Sequence, residues 1–404
     1  MRILMIAPQP FFEPRGTPFS EYYRARALTE LGHQVDLVTY PIGQDVSIPG
    51  LRIFRAPGIP GIRKVPIGPS LVKVPLDVMV FFSAVRRLVS ARYDLLDCHE
   101  EAGLMGVLLS RLFGVPTVYD MHSSLPEQLT NFRYTRSSIL RGLMAVTERW
   151  TIKGSAAVIV VCPYLQEVVA GIDAERPCFL VENSPLAEAT RRAGEAEVAE
   201  LRKSLDLDGA VVIAYTGTFE AYQGIELLFD ALRWVIGQEP RARLLLVGGH
   251  ADQIQEARET IDGTDLAGKV IFTGQRPSSE MSIYLTMADI LVSPRSHGNN
   301  TPLKIYSYLR AGKPIVATRL LTHTQVLDDD VAQLTAAEPE EFGKGILTLI
   351  RDRNRAQTLG DGARRLAEEE YSYENYVEKT RRVLDFLSET AQPKQAVPSQ
   401  APSK

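Results

Sequence analysis

Apolar residues come along this chain in short runs, each followed by a longer stretch with helical spacing. RILMIA leads into a loop carrying Gly16, then a helical pattern over about 20–31 that Gly32 stops. QVDLVTY, LRIFRAP, YDLLDCH, PTVYDMH, AAVIVVC and CFLVEN repeat the strand pattern, with helices expected at 76–91, 102–113, 136–153 and 163–170. Such alternation predicts a parallel sheet with helices on both faces. At 185–203 the rhythm breaks into a charged, alanine-rich stretch, then restarts with AVVIAYTG, ARLLLVGG, KVIFTG, ADILVSP and PIVAT. The chain therefore reads as α/β, with two doubly wound domains, 1–188 and 205–372, facing each other across a cleft. Ligands of open α/β sheets sit beyond the carboxyl ends of the strands, so each domain should offer one to that cleft. A last helix at 373–388 is expected to return to the first domain, and the proline- and glutamine-rich 389–404 to be a disordered tail.

Composition narrows the class. The 404 residues are 45% hydrophobic and 23% charged, ordinary for a globular chain, and the net charge of −4 gives no support for nucleic-acid binding. Cys98, Cys162 and Cys178 are too few and scattered for a disulfide framework or a zinc site, which points to a reducing cytoplasm. The opening RILMIAP is too short for a signal-peptide core and reads as a first strand. No apolar run approaches the roughly 20 residues that span a bilayer.

Two segments carry candidate chemistry. In SPRSHGNNTPLKIYSYLRAGKPIVAT (293–318), a polar turn runs straight into a helix that Gly312 closes. Free N–H groups and the helix dipole would favour an anion there, with Thr301 and Lys304 adding a hydroxyl and a cation. An ordinary loop before a helix fits that segment equally. In AYTGTFEAYQGIELLFDAL (214–232), Gly217 and Gly224 would let the backbone approach a phosphate, and Thr218 and Gln223 could donate neutral hydrogen bonds. The pattern is neither the dinucleotide fingerprint nor a P-loop, which argues against hydride transfer and ATPase chemistry; a structural turn would also explain its glycines.

In order, TGTFEAYQGIELLFDAL, LLLVGG, VIFTGQRPSSEMSIYLTMADILVSPR and NTPLKIYSYLRAGKPIVAT resemble the donor-binding domain of GT-B glycosyltransferases of family 4. APQPFFEPRGTPFSEYYRARALTELGHQVDLVTY and DLLDCHEEAGLMGVLLSRLFGVPTVYDMH are similar to that family's acceptor domain, so the resemblance covers roughly 1–385. It implies two Rossmann-like domains and transfer of a sugar, with retention, from a nucleotide-sugar donor, UDP- or GDP-linked, to a glycan or lipid-linked acceptor. No cofactor or metal is implied, because a helix N-terminus would hold the diphosphate.

The resemblance also implies roles for residues. Gly16 would approach the donor diphosphate, His122 would sit near the transferred sugar as the catalytic candidate, and the Asn300–Lys304 turn, including Thr301 and Leu303, would hold the distal phosphate. The loop after Gly274, with Arg276, would border the base. Where the family has arginine and lysine this chain has Thr218 and Gln223, and where it has paired glutamates this chain has Asn299 and Ser307. A leaving diphosphate gains negative charge, so replacement cations are needed; Arg295 and Lys304 are best placed, with Arg276 and Arg15 available. Ser307 could bond a ribose hydroxyl only as a short neutral group.

His99, Glu100 and Glu101 form a cluster that either shapes the acceptor pocket, with His99 and Glu101 its acceptor-side residues, or lies in a solvated loop. His250 and His297 read as loop residues. Asp206 and Asp208 spell a D-x-D but read as a solvated loop, as do 328–330. Residues 59–92 mix Arg63, Lys64, Lys73, Arg86, Arg87 and Arg92 with apolar side chains, which suits either a core helix with a basic end or peripheral contact with the inner membrane face. A non-catalytic GT-B subunit binding a glycan or partner is the alternative function. A nucleotide-sugar epimerase fits less well, because the sequence offers no convincing set of acidic and basic groups in the cleft.

Overall fold

In a computed structural model, residues 1–13, 16–66, 68, 70–131, 137–183 and 193–391 are described. Arg15, residues 185–192 of the junction and the tail from 392 onward lie outside them. Two all-parallel sheets dominate. The first, of seven strands, runs β3(Leu51–Arg55)–β2(Gln34–Thr39)–β1(Arg2–Ala7)–β4(Leu95–His99)–β5(Thr117–Met121)–β6(Ala157–Val160)–β7(Cys178–Leu180). The second, of six, runs β10(Val270–Gly274)–β9(Ala242–Gly248)–β8(Val211–Gly217)–β11(Ile290–Ser293)–β12(Ile315–Thr318)–β13(Gln333–Thr335). Strands such as β1, β4, β5 and β12 are buried on both faces, which is why they read as unbroken apolar runs rather than alternating ones.

The first sheet is covered by α1(Gly16–Glu30), α2(Lys73–Ser90), α3(Ala102–Phe113), α4(Leu125–Asn131), α5(Ser138–Gly154) and α6(Pro163–Ile172). Helix α1 begins at Gly16, four residues before the expected Ser20. Within the expected junction lies a real helix, α7(Glu195–Ser204), packed on α10(Met281–Met287) of the second domain. The second sheet also carries α8(Ile225–Ile236), α9(Ala251–Ile261), α11(Leu303–Ala311), the short α12(Leu321–Thr324), α13(Pro339–Arg351) and α14(Arg353–Glu369). The last helix, α15(Tyr373–Ala391), lies against α1 and β7, burying Tyr376, Val383, Leu384 and Leu387 in the first domain's core. It extends three residues beyond the expected end, so the tail expectation falls almost wholly outside the described residues. Among the described residues no helix is long and apolar enough to cross a membrane.

Candidate active site

The carboxyl ends of both sheets open onto one cleft of about 450 Å³. From the first domain it is lined by Gln9 after β1, Glu100 and Glu101 after β4, His122 and Ser123 after β5, and Asn183 after β7. From the second it is lined by Thr216–Thr218 of β8 and the turn beyond, Gly248 and Gly249, Arg276, Arg295, and the start of α11. Asn300 joins the walls: its Nδ2 donates to the His122 carbonyl at 2.6 Å.

The second wall is built around α11. Extended Pro302 stands at its N-cap and no side chain closes that end. Lys304, in the first turn, extends under β8, where its Nζ lies 3.7 Å from the Tyr215 ring centre and donates to Gln223 Oε1 at 3.1 Å. Burial, then the charge of Arg295, holds the Lys304 ammonium well below the usual lysine range. Arg295 donates through Nη1 to the Asn300 carbonyl and to Thr322 Oγ1, both at 2.9 Å, and stacks over Tyr222 at 5.1 Å. Among the described residues neither cation pairs with a carboxylate. Beneath them, burial pushes His323 down to about 3, so it stays neutral while bonded to Ser293 and Thr318.

The expected donor residues divide. Thr218, Gln223, Arg276, Arg295, Asn300, Thr301, Leu303, Lys304 and Ser307 all line the cleft. Ser307 is buried and Arg276 exposed. Gly16 opens α1, whose Thr17 and Ser20 line the cleft. Gly224 does not line it. Its backbone is left-handed, with φ of 76°, and a Cβ there would lie 1.9 Å from the Pro294 carbonyl oxygen, so packing of one loop on another is what demands glycine.

The first wall is a buried chain of alternating histidines and carboxylates, in which burial lowers the His99 pKa more than Asp120 and Asp97 raise it. His122 Nε2 lies 3.2 Å from Asp120 Oδ1, and Asp120 Oδ2 lies 3.4 Å from His99 Nδ1. His99 Nε2 lies 3.7 Å from Asp97 Oδ1, and Asp97 Oδ2 accepts from Arg24 Nε at 2.9 Å. Burial alone would lower the His122 pKa, but the charge and hydrogen bond of Asp120, then Glu100 and Glu21, outweigh it and raise it to about 9. Burial would raise Asp120; His122, His99 and Arg24 instead hold it well below the usual carboxylate range. Ligand atoms of His99, Asp120 and His122 lie within 4.8 Å of one another. Behind them the buried Arg24 guanidinium is paired with Asp97.

His99 is a correction to the expected acceptor-side residue: it is wholly buried beneath His122, neither lining the cleft nor in a solvated loop. Glu101 does line the cleft, but its carboxylate accepts from Lys73 at 2.9 Å. Lys73 is buried as well, so it is not the surface cation expected of the 59–92 stretch. Glu100 takes an uncommon left-handed φ of 48°, and its carboxylate accepts from Ser123 and Gln128. Burial, then the opposing pull of His122 and the push of Glu101, leaves it at about 7. Asp206 and Asp208 are exposed. Sequence reasoning missed this histidine–carboxylate chain, although a signal existed: D-x-H occurs at the ends of two strands, Asp97–His99 and Asp120–His122, and the register sets His99 beside Asp120.

Comparison with known proteins agrees with this architecture. A family model described as "Glycosyl transferase 4-like domain" matches residues 23–181, and one described as "Glycosyl transferases group 1" matches 210–352. The phosphatidyl-myo-inositol mannosyltransferase of Mycobacterium leprae is 25% identical over 357 residues, covering 87% of this chain and 88% of that protein. The 2-deoxystreptamine glucosyltransferase of Streptomyces kanamyceticus is 27% identical over 312 residues, covering 72% and 78%. Among solved structures, sucrose-phosphate synthase from Thermosynechococcus elongatus superposes with a TM-score of 0.80 at 20% identity, over 96% of this chain and 100% of that one. Anabaena Alr3699/HepE in complex with UDP gives 0.73 at 18%, with the same coverage. Two matched domain models in the family's order, on a two-sheet fold shared with these enzymes, place this chain among the GT-B group 1 glycosyltransferases.

Proposed function

We propose that the enzyme moves a sugar from a UDP- or GDP-linked donor to a glycan or lipid-linked acceptor, with retention and without a metal ion. One observation carries the donor half: Lys304 and Arg295 are held together at the open start of α11 with, among the described residues, only neutral partners, a costly arrangement that an anionic diphosphate would relieve. As the sugar–phosphate bond breaks, its electron pair stays on the diphosphate, and these cations and the α11 N–H groups stabilise the growing charge. They stand in for the family's loop arginine and lysine, whose positions here hold Thr218 and Gln223, and Gln223 has become a support for Lys304. His122, protonated through Asp120, would orient the sugar from the opposite wall.

Similarity to relatives supports the same reading. One solved neighbour is complexed with UDP and, in another structure, with UDP-glucose; one relative acts by name on phosphatidyl-myo-inositol. Retention rests on the family resemblance. Peripheral membrane contact near Arg63 and Lys64, both exposed, belongs to the lipid-linked form of the acceptor reading.

Calorimetric titration of UDP, GDP and ADP in EDTA, on the wild type and on Lys304→Ala, tests the donor site. The expected result is binding of one nucleotide that Lys304→Ala weakens at least about tenfold, consistent with loss of a charge-assisted contact. A strict requirement for divalent metal, or unaltered binding by Lys304→Ala, would overturn the proposal.

A further inference from the structure

We propose that the outer face of the α2–α3–α5 layer docks on an anionic phospholipid bilayer, laying exposed apolar side chains into the headgroup region. This deepens the acceptor reading and rests on it for its purpose. Its physical evidence, however, lies elsewhere on the molecule.

On α5, Ile139, Leu143, Val146 and Trp150 fall within an arc of about 60° at about 100° per residue. All four are exposed, Ile139 at 85% and Trp150 at 59%. The opposite face, with Glu148, Thr151 and Ile152, is the buried one. An amphipathic helix of a globular domain normally turns polar residues outward, so a second apolar stripe on the solvent side is not needed for the core. Neighbouring α3, which packs on α5, exposes Leu108 and Leu112; α2, on its other side, exposes Val74, Val78 and Phe82. Three adjacent helices thus present apolar stripes on one surface, a feature that marks interaction sites.

Charge selects the occupant. On α3 and α5 every charged side chain that reaches solvent is basic: Arg111, Arg141, Arg149 and Lys153. Their single acid, Glu148, is turned inward to accept from the Leu125 N–H and Ser124. Exposed Arg86 adds to this on α2. That segregation stands out in a chain of net charge −4. Apolar stripes with basic margins fit an anionic bilayer, and a tryptophan suits the interfacial depth. A second copy of the same face would oppose like charges. The face is also coupled to the cleft, because Glu148 holds the start of α4, whose Gln128 lines it.

The test uses the full chain and vesicles of phosphatidylcholine, with or without phosphatidylglycerol. Trp234→Phe leaves Trp150 as the single tryptophan reporter. Expected are co-sedimentation with the anionic vesicles, a blue shift of Trp150 emission, and weakening by salt. The pair Leu143→Ser and Trp150→Ser, and separately Arg149→Glu and Lys153→Glu, should each weaken partitioning about tenfold or more while nucleotide binding is unchanged. No sedimentation, no emission shift, or equal binding to neutral vesicles would overturn the proposal. So would a dimer in sedimentation velocity that the serine pair dissociates while vesicle binding persists. Vesicle binding without any nucleotide binding would count against the donor reading and leave this inference standing.

Discussion

On the first domain's wall of the cleft, Arg24, Lys73 and His122 each meet a carboxylate, whereas on the second domain's wall Lys304 and Arg295 meet, among the described residues, only amide, carbonyl, hydroxyl and aromatic groups. Burying a cation without a counter-ion costs several kcal/mol; Arg295 bears that cost as a charge, and Lys304 answers it with a lowered pKa. The contrast teaches how the labour is divided. The compensated wall fixes protonation states before any substrate arrives, and the uncompensated wall waits for an anion to complete it.

Removing the uncompensated charge should have the largest effect. Lys304→Ala combined with Arg295→Ala is expected to lower kcat by at least about a thousandfold, as loss of transition-state charge stabilisation does elsewhere, in a donor-consumption assay. Wild-type turnover in that double variant would erase the contrast between the walls.

Breaking the compensated wall should show as a pH effect. His122 stays protonated up to about 9 because of Asp120. In Asp120→Asn its pKa should fall to about 6.5 or below, leaving turnover least changed at low pH and at least about thirtyfold lower at pH 8. The same pair affects stability with a definite sign. The folded His122 pKa lies above its unfolded value, so the stabilisation is full below about pH 6.5 and is lost as pH rises through about 9. Thermal melts across that window should show the loss in wild type and not in Asp120→Asn.

A subtler reading comes from proton counting. Since Lys304 is held well below its usual range, a bound diphosphate should draw a proton onto it. UDP titrations in buffers of different ionisation heat should then show net proton uptake, at most about one per site, that Lys304→Met abolishes. An identical buffer dependence in the variant would place the protonation elsewhere. The smallest effect is expected at Glu100. Glu100→Gln should remove an inflection near pH 7 in kcat/KM and cost only severalfold in rate, because an amide can keep one of the Ser123 and Gln128 contacts. An unchanged profile would assign that inflection to another group.

The unbroken apolar strands and the NTPLK turn were legible in the sequence because each is a local pattern: burial on both faces removes polar positions, and a helix start needs a turn before it. Side-chain pairing across strands was not. His99 and Asp120 become neighbours only through the register of β4 on β5, and Arg24 reaches Asp97 from another helix. Lys73 looked like a surface cation beside Arg63 and Lys64, but its pairing with Glu101 turns it inward across 28 residues of chain. Gly224 could be picked out as special from its loop, while the reason, the Pro294 carbonyl 70 residues later, could not. The exposed face of α5 was hidden for another reason: an apolar stripe reads as core until its other side is seen to be buried as well.

The return of α15 to the first domain has a consequence in time. Thr380 on that helix accepts from Arg24, which pairs with Asp97 at the far end of the histidine–carboxylate chain leading to His122. During synthesis, residues 1–183 can emerge and form their sheet while Arg24 still lacks this partner and the core beside it is uncovered. The core around Arg24 is therefore closed last, when α15 arrives, and a nascent chain that already holds both sheets still lacks the cover over the charged groups behind His122.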